Sequence, residues 1–145
     1  MRALIVDDSP KVRADLRQMM VRLGWTVVGE AGSGVEALQL VKELSPDLVT
    51  LDIIMPEMDG IECYRAMRKL ESPPRCLLIS VLASEARVVA AYAQEILTGH
   101  FLSKPVEEKN LREHLEMVMA MPPLPLPPPI ELGSGADQEA LASAD

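Results

Sequence analysis

The sequence alternates short, wholly apolar runs with longer segments in which apolar residues recur at helical spacing. The run 3–6 (Ala-Leu-Ile-Val) contains no polar residue, which is typical of a strand covered on both faces of a parallel sheet. After it, Ser9 is a suitable N-cap, Pro10 suits the first helical turn, and apolar residues repeat at helical spacing as far as Leu23. The chain is therefore predicted to begin with a strand and a helix.

The same cycle recurs along the chain as far as about residue 120. The later predicted strands cover residues 26–30, 48–52, 76–80 and 101–102. Four further helices are predicted. The first carries Val35, Leu38 and Val41, and the second runs from the loop at Gly60 to about residue 70. The third lies within 84–96, and the fourth extends from about 107 to 119 with Leu111, Leu115 and Val118 inward. Five strand-and-helix pairs with short connections predict an α/β fold, a doubly wound five-stranded parallel sheet of flavodoxin-like (βα)5 architecture with strand order 2-1-3-4-5.

The composition changes abruptly after Met121. Six of the 12 prolines lie in 122–129, and the residues from 133 onward are small, polar and acidic. Half of the formal net charge of −8 lies in residues 121–145. Such a segment cannot form much of a core. We therefore predict one domain over residues 1–121, followed over 122–145 by a Pro-rich and then acidic tail or linker that is disordered.

The charge and the apolar pattern limit the classes of partner. A net charge of −8 argues against the electrostatic attraction on which most nucleic-acid binders depend. No apolar stretch approaches the roughly 20 residues needed to cross a bilayer, and Asp7 and Asp8 interrupt the first apolar segment before it could serve as a signal-peptide core. We expect a cytoplasmic chain whose partners are proteins, with no nucleic acid and no membrane.

Polar side chains follow four of the five predicted strands. Asp7 and Asp8 end the first strand, Asp52 ends the third, Ser80 ends the fourth and Lys104 follows the fifth. The carboxyl ends of parallel strands share one edge of the sheet, where ligands bind. Three carboxylates gathered there in ionised form require a cation, and oxygen ligands favour a hard one such as Mg²⁺. A carboxylate beside Mg²⁺ and a Lys ammonium is suited to attack phosphorus, because both cations neutralise charge on the phosphoryl oxygens.

These residues belong to motifs of a known family. The motifs are the Asp7-Asp8 pair after an apolar strand, the stretch 52–60 (Asp-Ile-Ile-Met-Pro-Glu-Met-Asp-Gly), Ser80 after Leu-Leu-Ile, and Lys104-Pro105. Together they resemble the receiver domains of bacterial response regulators over about residues 1–121, and they are similar to the chemotaxis-type (CheY-like) receivers. The resemblance implies two-component phosphorelay signalling in which a sensor histidine kinase phosphorylates Asp52. Phosphorylation would then switch the affinity for a protein partner, in chemotaxis or motility.

The resemblance also implies roles for individual residues. Asp8, Asp52 and the backbone carbonyl of Ile54 would bind Mg²⁺ directly, and Asp7 would help through water. Lys104 would pair with the phosphoryl group, and Ser80 would follow it on activation. The partner would bind the face formed by the predicted helix within 84–96, the last strand and the last helix. A receiver of this kind is not an enzyme, since it catalyses only its own phosphorylation and dephosphorylation.

Three further positions carry expectations from the family. Phe101 stands three residues before Lys104, where the family has an aromatic switch residue, although a core Phe at the end of a strand explains it equally well. The Lys104–Pro105 peptide bond is expected to be cis. Val81 stands where receivers usually have Ala or Gly, so it is expected to narrow the site and slow its reactions.

Two other readings compete with a phosphorylated receiver. A haloacid-dehalogenase-like phosphatase also uses an Asp nucleophile and Mg²⁺ on a related sheet, but it needs a second acid two residues after the nucleophile, where this chain has Ile54. A module that keeps the receiver fold and binds its partner unphosphorylated is the other alternative. The intact set of Asp52, Ser80 and Lys104 counts against it.

Overall fold

The computed structural model describes residues 1–53, 55, 60–79 and 101–120. In this part of the chain, five parallel strands form one sheet in the order β2-β1-β3-β4-β5. The strands are β1 (Arg2–Val6), β2 (Thr26–Ala31), β3 (Leu48–Leu51), β4 (Arg75–Ile79) and β5 (Phe101–Leu102). Both the fold class and the strand order predicted from the sequence are confirmed.

Four helices accompany these strands in the described residues. They are α1 (Pro10–Arg22), α2 (Gly34–Leu44), α3 (Gly60–Arg68) and α4 (Glu108–Ala120). The helix predicted within 84–96 and the tail predicted over 122–145 lie outside the described residues, so the label α4 belongs to the last helix. Within the part of the chain that the structure describes, no helix is both long enough and apolar enough to cross a membrane.

The first two helices begin at caps that the sequence supplies. The Ser9 hydroxyl accepts a hydrogen bond from the backbone N–H of Val12 at 3.3 Å, which satisfies a free donor at the start of α1. At α2 the Ser33 hydroxyl accepts from the Glu36 N–H at 3.2 Å, while the Glu36 carboxylate accepts from the Gly32 N–H at 2.9 Å. These caps lie two or three residues beyond the carboxyl end of a strand and fix where each helix starts.

The sheet separates two apolar clusters, one on each face. Alternate residues of a strand point to opposite faces, so Leu4 and Val6 of β1 belong to one cluster while Ala3 and Ile5 belong to the other. The first cluster is completed mainly by α2 and α3, and the second by α1 and α4. Leu111, Leu115 and Val118 of α4 are buried as predicted. The central strands are therefore covered on both sides, as their unbroken apolar character indicated.

The buried face of α2 differs from the residues that suggested this helix. Val41 is buried and Leu38 packs partly against the core, but Val35 is 54% exposed. Gly34 and Ala37 are buried instead. Positions 34, 37 and 41 follow the helical repeat and form the stripe that faces the sheet. Small residues at two of these positions make the apolar stripe hard to see in the sequence.

Candidate functional site

Three carboxylates meet at the carboxyl edge of the sheet. Asp7 and Asp8 directly follow β1, and Asp52 directly follows the neighbouring strand β3. The Asp52 N–H donates to the Val6 carbonyl at 3.0 Å, so the parallel hydrogen-bond pattern extends into the site. One carboxylate oxygen from each of the three residues lies within 4.8 Å of the others. Asp7 and Asp52 are buried, whereas Asp8 is exposed, so the cluster is open to solvent on one side.

Lys104 brings a positive charge to this cluster from the end of β5. Its Nζ lies 2.7 Å from a carboxylate oxygen of Asp7 and 3.6 Å from one of Asp52. The following peptide bond, Lys104–Pro105, is cis. Asp7 also accepts a hydrogen bond from the Ser9 N–H at 2.9 Å. Both oxygens of Asp7 are therefore engaged within the protein, while the Asp52 carboxylate holds the ammonium only at longer range.

The surroundings of Asp52 disfavour its charge. Burial, the largest effect, raises the pKa of Asp52, and the carboxylates of Asp7 and Asp8 raise it further. The Lys104 ammonium acts in the opposite direction, but the net pKa stays above the ordinary value of 3.8. The Lys104 ammonium thus does not offset the combined effect of burial and of the two neighbouring carboxylates on the pKa of Asp52. A hard cation fits the site, because every side chain of the cluster offers oxygen, the donor that Mg²⁺ prefers.

Comparison with known proteins agrees with this geometry. A family model described as the response regulator receiver domain matches residues 3–116. The chain belongs to this family. Chemotaxis protein CheY of Thermotoga maritima is 37% identical over 119 residues, which cover 81% of this chain and 96% of that protein. Receiver domains are signalling modules rather than enzymes, and they generally bind Mg²⁺ at an acidic cluster of this kind.

Two other relatives place the receiver domain in different contexts. A protein-glutamate methylesterase/protein-glutamine glutaminase of Methanospirillum hungatei is 36% identical over 113 residues, which are 77% of this chain but only 33% of that protein. A crystal structure of a CheX–CheY complex with BeF₃ and Mg²⁺ from Borrelia burgdorferi superposes with a TM-score of 0.73 at 31% identity, covering 82% of this chain and 89% of that one. The family thus includes both stand-alone receivers and receivers within longer proteins.

Arg13, which no motif in the sequence singled out, holds the acidic turn of this receiver domain. Its Nη1 donates to the Asp7 carbonyl oxygen at 2.5 Å, and its Nε lies 3.1 Å from the Glu30 carboxylate. The other Glu30 oxygen accepts from Arg17 at 2.8 Å. The turn after β1 is therefore tied to the end of β2. A basic residue one turn into the helix that follows an acidic strand end was the signal available in the sequence.

Gly60 allows α3 to begin directly against the receiver's Asp52. Its N–H donates to the Ile53 carbonyl at 2.7 Å. A Cβ at this position would overlap the Asp52 carbonyl oxygen and would lie 2.8 Å from the Ile53 Cα. Because both neighbours are backbone atoms, a larger residue would displace the loop that carries Asp52. Gly60 stood in the sequence motif, but its packing role is visible only in the fold.

The remaining predicted site residues of the receiver domain separate into two groups. Phe101 is 6% exposed and packs in the same apolar cluster as Leu78, on the face covered by α2 and α3. Both interpretations of Phe101 from the sequence, a core residue and a switch residue, stay predictions. Ile54, Ser80 and Val81 lie outside the described residues.

Proposed function

We propose that Asp52 is the phosphoacceptor of a two-component signalling switch in the cytoplasm. It would receive a phosphoryl group from the phosphohistidine of a sensor histidine kinase in a Mg²⁺-dependent reaction. The observation that carries this proposal is the buried Asp52 carboxylate, with the Lys104 Nζ at 3.6 Å and the oxygens of Asp7 and Asp8 beside it. When bound, Mg²⁺ would supply the positive charge that the phosphoryl oxygens require.

The side chains around Asp52 support separate roles in this reaction. An Asp52 oxygen would attack phosphorus as the bond to the histidine nitrogen breaks, and the aspartyl phosphate would later be hydrolysed by water. Asp8, Asp52 and the Ile54 carbonyl would hold the metal. Asp7 would act through water, since its oxygens already bind Lys104 and the Ser9 N–H. Lys104 would move from Asp7 towards the phosphoryl group, because that group adds negative charge next to Asp52.

The other assigned residues would respond to the phosphoryl group or limit access to it. The Ser80 hydroxyl would donate a hydrogen bond to a phosphoryl oxygen. Phe101 would report this change by altering its packing at the start of β5. Val81 would narrow the approach of small donors and of water, since a branched side chain stands there instead of a small one.

The output would be a changed affinity for a protein partner in chemotaxis or motility. The surface proposed for it comprises the predicted helix within 84–96, β5 and α4, because β5 leads directly into Lys104. The names of the relatives support the pathway, and the related CheY that binds CheX supports a protein partner. The chemistry of this chain would be limited to its own phosphorylation and dephosphorylation.

Phosphorylation by a small donor tests the assignment of Asp52. We expect acetyl phosphate with Mg²⁺ to add one phosphoryl group, seen by intact mass and removed by base or hydroxylamine. Asp52→Asn should abolish labelling because an amide is a poor nucleophile. Asp15→Asn, which removes an exposed carboxylate on α1, is the matched control and should label normally. Full labelling of the Asp52 variant would exclude Asp52 as the acceptor.

A further inference from the structure

A cavity lies at the amino-terminal edge of the sheet, opposite the carboxylates. Its volume is about 320 Å³, and its apolar wall includes Leu23, Trp25, Leu115 and Met119. These residues come from the end of α1, the approach to β2 and the last two turns of α4. Trp25 is the only tryptophan in the sequence, and it is half-buried. Met1, Gly24 and the exposed side chains of Arg112 and Glu116 complete the lining.

We propose that the Pro-rich segment 122–129 of this same chain binds in the cavity, with its prolines against Trp25. Continuity of the chain supports this occupant. Met119 lines the cavity and α4 ends at Ala120. Pro122, the first proline of the segment, is therefore only three positions after Met119. A polyproline II segment advances by about 3.1 Å per residue, which lets the first few residues after the helix cross a cavity of this size.

The chemistry of the segment matches that of the cavity. Pro122, Pro125 and Pro128 recur every third residue, and three residues make one turn of a polyproline II helix, so these three share one edge. Leu124 and Leu126 add apolar surface beside them. Segments with this P-x-x-P spacing bind grooves lined by aromatic side chains, because they are already extended and lose little entropy on binding. Trp25 supplies the aromatic surface that such binding requires.

The charges at the cavity, one positive on Arg112 and one negative on Glu116, offset each other. The match therefore rests on the apolar surfaces of the segment and of the cavity. The cavity also gives the predicted tail an apolar surface that the sequence alone did not reveal, and the proposal does not depend on phosphorylation of Asp52.

Trp25 fluorescence tests the proposal, because no other tryptophan contributes. The test compares the full chain with two truncated chains, one ending after Leu132 and one ending after Met121. The full chain and the longer truncation should have equal acrylamide quenching, whereas the shorter one should show quenching about twofold stronger and emission at longer wavelength. Equal quenching in all three proteins would overturn the proposal. A change already complete in the truncation after Leu132 would also overturn it, since residues 133–145 would then be responsible.

Two methionines of α4 provide matched variants for the site of binding. Met119 lines the cavity, whereas Met117 is 42% exposed and is not among the lining residues. The quenching difference between the full chain and the truncation after Met121 should at least halve with Met119→Gln and should persist with Met117→Gln. Persistence in the Met119 variant would place the segment elsewhere and overturn the proposal.

Dilution separates binding within one chain from binding between copies. The protection of Trp25 should be the same over a hundredfold range of protein concentration, because an intramolecular contact does not depend on it. Protection that disappears on dilution would identify a second copy as the source and would overturn the intrachain proposal. A synthetic peptide of residues 121–132, added to the chain truncated after Met121, should restore protection in a saturable manner.

Discussion

Asp52 stands where its own negative charge is unfavourable, because it is buried beside Asp7 and Asp8. Its pKa is raised in the folded protein, so the folded state binds the proton more tightly than the unfolded state does. The resulting stabilisation is present below the ordinary pKa of 3.8 and is lost as the pH rises through the raised value. At neutral pH and without a cation, the Asp52 carboxylate therefore destabilises the fold.

Asp52→Asn should consequently stabilise the metal-free protein. Neutralising a buried carboxylate among like charges is expected to raise the free energy of unfolding at pH 7 by about 1–2 kcal/mol, which corresponds to a melting temperature higher by about 2–8 °C. Thermal unfolding in EDTA measures this. Added Mg²⁺ should stabilise the unsubstituted protein more than the variant. A lower melting temperature for the variant in EDTA would contradict the conclusion that the Asp52 charge destabilises the fold. The control Asp15→Asn should change the melting temperature little.

Gly60→Ala should have the opposite effect on stability. The added methyl group would meet the backbone of Asp52 and Ile53, which cannot yield as a flexible side chain can. We expect a loss of about 2 kcal/mol or more in the free energy of unfolding, as for overpacking elsewhere, together with slower labelling by acetyl phosphate. Gly32→Ala is the control, because its Cβ would lie 3.4 Å from Arg13 in ordinary contact. Equal urea midpoints for the two variants would refute the packing role of Gly60.

Individual residues of the site were predictable to different degrees. Asp7, Asp8, Asp52 and Lys104 were found because strand ends of a parallel sheet converge whatever the details of packing. The closer pairing of Lys104 with Asp7 than with Asp52 depends on differences of less than 1 Å, which no sequence pattern encodes.

At the scale of elements, Arg13, Arg17 and Glu30 join α1 to β2 beside the acidic turn. The hydrogen bond from Arg17 is the largest influence on Glu30, and with Arg13 it lowers the pKa of Glu30 despite partial burial. A lowered pKa means that this carboxylate contributes stability above its ordinary pKa of 4.5. The contribution is lost as the pH falls through the lowered value.

Glu30→Gln should therefore destabilise the protein at neutral pH but much less in acid. The expected loss at pH 7 is about 0.5–1 kcal/mol, because the paired side chains are partly exposed and water screens the interaction. Urea unfolding at several pH values between 3 and 7 measures the difference between the two proteins. Asp15→Asn again serves as control, since the Lys11–Asp15 pair is mostly exposed. A difference that stays constant over this pH range would exclude the ionised pair as its cause.

The order of the strands and helices could be predicted more fully than the face that each helix buries. Buried strands have unbroken apolar runs, and Ser9 and Ser33 mark helix starts by capping chemistry that operates locally. The inward face of α2 was less predictable, since Gly34 and Ala37 are buried there while Val35 is exposed. How closely a helix approaches a sheet decides which residues it buries, and that distance is set by packing across the whole fold.

For the molecule as a whole, we predict that residues 1–121 fold and react without the tail. The sheet, its two apolar clusters and the acidic site all lie within the described part of this range. A chain truncated after Met121 should retain one cooperative unfolding transition in urea and should be labelled by acetyl phosphate as fast as the full chain. Loss of the cooperative transition would show that residues beyond 121 complete the fold.

The central strands are buried on both sides, which limits how often the backbone of the site can open to solvent. Amide hydrogens that are hydrogen-bonded between two covered faces exchange with solvent only when the structure opens globally. β1, β3 and β4 are almost wholly of this kind. Asp7 and Asp52 are attached directly to the ends of β1 and β3. The backbone that carries Asp7 and Asp52 is thus anchored in strands that we expect to open last, so the spacing of these carboxylates should persist when other parts of the domain open locally.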